Sequence, residues 1–283
     1  MENLPPTFCL PPLWDVVDEF KGLRVHPLGA QAKIDALKWL SSYGTMDKRR
    51  LKISEQTSSE QLAAVPYYDC EYDDLLLTTE WTFWAFWIDD TVDHGVLTPE
   101  GVQNLVRLYE DVHCDRYPEQ NGGPLPPIIR VRISLASPNS RSPAKRLRFI
   151  LQLVVDEEVM RSPEMKDLEA ALVELAWRLG DMINFVSLVM IHEKKTIQEA
   201  MDYAAQEFRS QVAKWCSAKA RALEIYREHK DIKDLTTFIQ RNEIWIWIAI
   251  EWSFAVGVRY FGTQQASDEA KRTGIVSIMP REQ

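Results

Sequence analysis

The stretch Trp81-Thr-Phe-Trp-Ala-Phe-Trp-Ile-Asp-Asp-Thr-Val-Asp-His94 constrains this chain more than any other. Five aromatic residues lead straight into three aspartates. Read as a helix, it sets Asp89 and Asp93 four residues apart on one face, with Asp90 beside them. Carboxylates that close repel one another, and their pKa values rise unless a cation neutralises them. Oxygen-only ligands on one helical face suit Mg²⁺, which takes one or two carboxylates, keeps several waters and accepts phosphate oxygens. An arbitrary acidic helix end is a solvated one. Here the acids follow directly on an apolar aromatic run, which points them towards a cavity. Asp89, Asp90 and Asp93 are therefore the candidate metal ligands, with Mg²⁺ as the cofactor.

The rest of the composition narrows the class. The chain has 283 residues, of which 46% are hydrophobic, which excludes a disordered protein and allows a substantial core. A formal net charge of -9 argues against a nucleic-acid-binding surface. An acidic protein that handles an anionic substrate needs a local device, such as metal ions or a few placed arginines. Cys9, Cys70, Cys114 and Cys216 are scattered without a C-x-x-C, so neither a zinc site nor a disulfide framework is indicated. Reduced thiols and a cytoplasmic setting are the expectation. Met1 to Pro12 lacks the pattern of a signal peptide. The longest apolar run, Ile244 to Val258, is short for a bilayer and contains Glu251, so it reads as a buried helix and not an integral membrane segment.

Along the chain, Met1 to Pro27 is punctuated by prolines and reads as irregular, with Trp14 and Phe20 as anchors. A helical pattern runs from Gly29 to Gly44, with Ile34, Leu37 and Leu40 at spacing three. Met46 to Glu60 is polar and reads as a loop. Pro66 breaks the chain before a long helix from Glu71 to Asp93. Helix starts are signalled at Thr98-Pro99-Glu100, at Ser162-Pro163-Glu164, and at the capping box Thr196-Ile-Gln-Glu199. Glu110-x-x-His113 looks like half a di-iron motif, but no second copy exists, so it reads as a surface helix. Tyr117 to Pro143 is rich in proline and glycine and reads as a long loop. The last strong helix runs from about Leu235 to Phe261. No repeat and no alternating strand pattern is present, so the chain reads as all-α.

A second constellation, Trp252-Ser-Phe-Ala-Val-Gly-Val-Arg259-Tyr260-Phe-Gly262, closes that last helix. An arginine fork and a phenolic hydroxyl side by side both donate to phosphate oxygens. Together the two constellations resemble the class I terpene synthases, and among them the fungal sesquiterpene synthases of the presilphiperfolanol synthase type. His26-Pro27, Asn184-Phe-Val-Ser-Leu-Val-Met190, Thr196 to Asp202 and Thr273-Gly274-Ile275 carry the resemblance further. It covers roughly residues 25–115 and 150–278.

The resemblance implies a single-domain helical bundle of the class I terpene synthase (isoprenoid synthase) type over residues 29–278. Residues 1–28 form an irregular N-terminal segment, and the Pro-rich loop lies at about 117–143. It implies a Mg²⁺-dependent carbon–oxygen lyase of secondary metabolism that ionises and cyclises farnesyl diphosphate and releases diphosphate. Asp89 and Asp93 would be catalytic through the metal, with Asp90 supporting. Arg259 and Tyr260 would grip the diphosphate of this small-molecule prenyl substrate. Trp84 and Phe86 are the preferred candidates among the aromatic residues for steadying a carbocation. The family pattern carries a second metal arm just before Asn184 to Met190. Here only Asp181 and Asn184 stand as polar candidates, and Leu188 takes the place of an acid. The pattern implies further helices where this chain has its Pro-rich loop. An impaired or inactive homologue is accordingly the alternative reading. A chain-elongating prenyltransferase lacks its second Asp-Asp-x-x-Asp, and a His-Asp phosphohydrolase lacks its dyad. The product, the substrate chain length and the oligomeric state are not written in the sequence.

Overall fold

The computed structural model describes residues 5–42, 48–93, 98, 100, 101, 103, 104, 107, 159, 162–168, 170, 171 and 182–278. The Pro-rich segment, Glu110, His113, Cys114 and Asp181 lie outside the described residues. Within α-helical segments, the side chains of 49, 50, 88, 89, 92, 93 and 182–184 lie outside them as well.

The N-terminal elements are β1 (Thr7–Cys9), α1 (Trp14–Val17) and a 3-10 turn (Asp18–Phe20). Next come α2 (Gly29–Ser42), α3 (Lys48–Gln56), α4 (Gln61–Ala64) and α5 (Tyr72–Asp93). The C-terminal part holds α6 (Met182–His192), α7 (Ile197–Ile225) and α8 (Ile232–Ala255). It ends with α9 (Gly257–Tyr260), α10 (Gln264–Thr273) and β2 (Ile275–Ser277).

The helix signals of the sequence hold where they are described. Thr98 Oγ1 accepts from Gly101 N–H, and Ser162 Oγ accepts from Met165 N–H. Thr196 forms both halves of its capping box with Glu199, satisfying two donors that a helix start would leave bare. The long helix ending in the aspartates is present as α5. Its apolar residues surround it, and its hydroxyls are satisfied within the helix. Thr79 donates to Leu75 O at 2.8 Å and Thr91 to Trp87 O at 2.6 Å, so both are buried without a stranded polar group.

Three readings need correction. Residues 48–56, expected as a loop, form α3. Lys, Arg, Leu, Glu and Gln are strong helix formers, so a polar composition there did not mean irregular structure. A small antiparallel sheet exists, with Thr7 opposite Ser277, Phe8 opposite Val276 and Cys9 opposite Ile275. Strands of three residues are too short to show alternation. The last strong helix is not continuous to Phe261. It stops at Ala255, and Val256 (φ -103°, ψ 48°) breaks it before α9.

α8 occupies the centre. Its buried residues include Leu235, Phe238, Ile239, Ile246, Ile248, Ile250, Trp252 and Phe254, which point to several sides of the helix. α7 lays an apolar stripe against it, with Phe208 and Trp215 fully buried. Each such side chain contributes roughly 1.5–3 kcal/mol by leaving water. Phe20 joins this core and Trp14 packs on it, as expected of the two anchors. α5 packs on α2 and α4. Gly22 lets the chain pass close to α8, since a Cβ there would meet Ile244 Cγ2 at 2.7 Å and Val65 Cγ1 at 2.8 Å. Cys9, Cys70 and Cys216 are free thiols. Among the described residues no helix is long and apolar enough to cross a membrane.

Candidate active site

α5 and α8 run in the same direction, and the end of each carries one constellation. Arg259, on α9, meets Asp90 in the last turns of α5 across 169 residues of sequence. The guanidinium grips the carboxylate with two bonds, Nη2 to Oδ1 at 2.7 Å and Nη1 to Oδ2 at 3.3 Å. This two-point fork is the geometry that arginine offers and lysine does not. Burial works against the charge on Arg259, but its hydrogen bond to Asp90 and the proximity of Tyr260 outweigh it and hold the guanidinium above its ordinary pKa.

The helix break places this arginine. α8 stops at Ala255, and α9 restarts in a new direction. Gly257 makes the turn possible: a Cβ there would lie 2.5 Å from Ser267 Cβ and 2.9 Å from Thr263 O. Gln264 Oε1 accepts from Gly257 N–H at 3.1 Å, and Gln264 Nε2 donates to Phe254 O at 3.0 Å. One side chain thus bridges the broken ends. Ser267 Oγ also donates to Phe254 O, at 2.7 Å.

An aromatic group surrounds the pair. Phe86 stacks on Trp252 with centroids 4.9 Å apart, and Arg259 lies over Phe86 at 5.2 Å. Tyr260 stands edge-on to Trp252 at 5.9 Å and is 40% exposed. Trp252 Nε1 donates to Thr57 O at 3.3 Å, which fixes the indole. Of the two aromatic residues preferred from sequence, Phe86 is at the site. Trp84 is buried, and Phe83 packs against Ala36 and Leu40 of α2. Trp252 was part of the quoted motif but had no role; its position seven residues before Arg259 was the available signal.

Asp89 and Asp93 lie three and seven residues beyond Phe86, on the side of α5 that Phe86 occupies. Their side chains, like that of Asn184 in the first turn of α6, are outside the described residues. Three carboxylates at the C-terminal end of a helix sit at the negative end of its dipole and need positive charge nearby. Asp90 receives it from Arg259. Asp89 and Asp93, at spacing four, are the pair whose chemistry fits Mg²⁺. Among the described residues no group of three His, Cys, Asp or Glu is placed to hold a metal. Leu188 on α6 is 50% exposed.

Arg241, Glu80 and Glu243 were not singled out from sequence. Arg241 of α8 is buried and donates to Asp69 Oδ1 at 2.8 Å, at the other end of α5 from Arg259. Burial pushes the Glu80 carboxyl of α5 up to about 7. Buried Glu243 accepts from Trp215 Nε1 at 2.9 Å and pairs with Lys219, tying α7 to α8. His26 accepts from Leu28 N–H at Nδ1, so its Nε2 carries the proton and donates to Cys70 O at 2.9 Å. This joins the start of α2 to the start of α5.

Comparisons with known proteins follow the same direction. No family model matches the chain. Tsukubadiene synthase of Streptomyces tsukubensis is 33% identical over 93 residues, 33% of this chain and 24% of that protein. Sesquiterpene synthase Agr1 of Cyclocybe aegerita is 26% identical over 148 residues, 48% of this chain and 41% of its own. The match thus spans less than half the length of either curated relative. Among solved structures, hedycaryol synthase in complex with HEPES superposes with a TM-score of 0.66 at 16% identity, covering 83% of this chain and 96% of that one. Wild-type cucumene synthase gives 0.65 at 16% identity, covering 82% and 98%. The sequence relatives and structural neighbours are terpene synthases, and the fold is the all-α class I terpene synthase fold.

Proposed function

We propose that the chain is a sesquiterpene cyclase that ionises farnesyl diphosphate and releases diphosphate. The observation that carries this reading is the Asp90–Arg259 pair, which joins the aspartate end of α5 to the Arg-Tyr pair on α9. A diphosphate held at this end of the bundle has Arg259 and Tyr260 on one rim and the aspartates on the other. Mg²⁺ held by Asp89 and Asp93 would stabilise the negative charge that develops on the leaving group. Asp90 keeps Arg259 charged and aimed, and the guanidinium would donate to the diphosphate oxygens. The Tyr260 hydroxyl donates beside them. The carbon–oxygen bond breaks with its electron pair leaving on diphosphate. Aromatic residues at this end of the bundle would then steady the allylic cation, at about 2 kcal/mol for a desolvated contact. Asp181 and Asn184 are the proposed polar contacts of the second rim.

A second reading has its own support. Leu188 presents an exposed apolar side chain on α6 where the family pattern carries an acid. Mg²⁺ requires near-octahedral oxygen coordination, and a leucine cannot supply it. On this reading the chain is an impaired homologue. The two are separated by incubating the protein with Mg²⁺ and farnesyl diphosphate, measuring inorganic diphosphate and identifying volatile products by gas chromatography. A cyclase releases diphosphate with cyclic products, and Asp89→Asn lowers the rate about a hundredfold or more. Release that Asp89→Asn leaves unchanged removes the metal role, and no release from the wild type favours the impaired homologue.

A further inference from the structure

The chain is acidic as a whole, but its charge is not evenly spread. Residues 21–56 hold eight lysines and arginines against three carboxylates, a net of +5, in a chain of net -9; the remainder therefore carries -14. The region comprises the strap 21–28 with α2 and α3, and α3 packs on α2. The sequence of α3 opens Lys48-Arg49-Arg50-Leu51-Lys52, and Lys48 and Lys52 are exposed one turn apart.

The same region concentrates exposed apolar side chains. Among the described residues, five of the eleven exposed large hydrophobic residues lie here: Leu23, Val25, Leu28, Ile34 and Ile53. Leu23 is 84% exposed and Val25 62%. This exposure does not come from a loose segment. Gly22 is pressed between Ile244 and Val65, and His26 is held by its backbone N–H to Ala64 O at 2.8 Å and by its ring to Cys70 O. Between those two fixed points Arg24 turns onto the Tyr68 ring at 4.9 Å, while Leu23 and Val25 stand outward. Isolated exposed hydrophobic residues are ordinary; apolar residues held outward on a rigid strap within a basic region are an interaction surface.

We propose that the strap, α2 and α3 dock this protein onto an anionic membrane surface. The basic residues meet lipid headgroups, and Leu23, Val25 and Leu28 enter the headgroup–acyl boundary. Charge complementarity selects this partner. The net +5 of residues 21–56 is attracted to an anionic bilayer, and the apolar side chains exposed among them gain by leaving water. The attachment is peripheral. It is independent of the proposed cyclase activity, because none of these residues belongs to the candidate active site.

The test is co-sedimentation of the full chain with vesicles of phosphatidylcholine, with and without about a third of phosphatidylserine. Binding is expected to be about tenfold tighter or more on the anionic vesicles and to be lost in high salt. Lys48→Glu with Lys52→Glu should weaken it about tenfold. Leu23→Ser with Val25→Ser should weaken it comparably while the melting temperature stays unchanged, since both side chains are already in water. Absence of binding to anionic vesicles overturns the proposal, as does binding that neither double variant reduces. Self-association without lipid that Leu23→Ser with Val25→Ser dissolves also overturns it, and assigns the surface to a second copy of the chain.

Discussion

Two arginine–aspartate pairs join the same two helical tracts at opposite ends. At one end Arg241 of α8 holds Asp69, three residues before α5 begins; at the other Arg259 holds Asp90 as α5 finishes. Each guanidinium also lies over an aromatic ring, Arg241 over Tyr67 at 5.5 Å and Arg259 over Phe86 at 5.2 Å. The settings differ. The Arg241 side chain is 4% exposed, on an unbroken helix, and Asp69 is 52% exposed. Asp69 also sits before the positive end of the α5 dipole, so solvent and dipole both support its charge. Burial pushes the neighbouring Tyr67 phenol up, beyond any working pH.

Asp90 is in the opposite situation. It lies at the negative end of the same dipole, with Asp89 and Asp93 within three residues. It is less exposed than Asp69, at 28%, and its partner Arg259 is delivered by a separate short helix after a break. A sequence selected for stability alone would not gather three acids there. The first pair fastens the bundle. The second offsets an unfavourable gathering of acids at the negative end of a helix.

Exchanging the two arginines tests this division most severely. Arg259→Met should lower diphosphate release from farnesyl diphosphate by the folded protein about a hundredfold, beyond any loss of stability from leaving Asp90 uncompensated. Arg241→Met should lower stability by about 2 kcal/mol in denaturant titration and leave the turnover of the folded protein near wild type. The reverse outcome would dissolve the distinction between fastener and site.

Glu80 lies between the two ends. The folded carboxyl keeps its proton up to about 7, whereas an ordinary glutamate ionises near 4.5. Between those values the folded state binds more proton than the unfolded one, so stability falls as pH rises through the window and levels off above it. Glu80→Gln should flatten this dependence and raise stability above pH 7 by on the order of 2 kcal/mol, allowing for partial solvent screening. Urea unfolding at several pH values measures it; a mutant that keeps the wild-type slope would rule Glu80 out as its source. The smallest effect belongs to Asp69→Asn. Asp69 is itself half in water and asparagine keeps an oxygen acceptor for Arg241, so the loss should be no more than about 1 kcal/mol. A larger loss would mean that the Arg241 pair depends on its charge as strongly as a fully buried one.

Much of the fold is legible residue by residue. The caps at Thr98, Ser162 and Thr196 are local chemistry and form as read. The aromatic run of α5 and the apolar run of α8 are buried helices because no polar face was left to expose. α3 was missed because charge suggests a loop, while helix propensity depends on side-chain entropy and not on polarity. The β1–β2 pairing was missed because its partners are three-residue strands from opposite ends of the chain. In the candidate site, Asp90, Arg259 and Tyr260 were singled out from sequence in two separate clusters, and the structure brings Asp90 and Arg259 together.

The sequence by itself determined which groups exist and which short-range rules they obey: acids at spacing four, an arginine beside a tyrosine, and a glycine where the last helix would otherwise continue. Tertiary structure alone brought the arginine to the aspartates. α8 breaks at Val256, Gly257 packs against Ser267, and α9 carries Arg259 to Asp90. It also decided that Phe86 and not Trp84 lies under the guanidinium, and that Leu23 and Val25 stand in water between two fixed points. Contacts of this kind depend on the direction in which each helix is packed, and no local pattern in the chain encodes that direction.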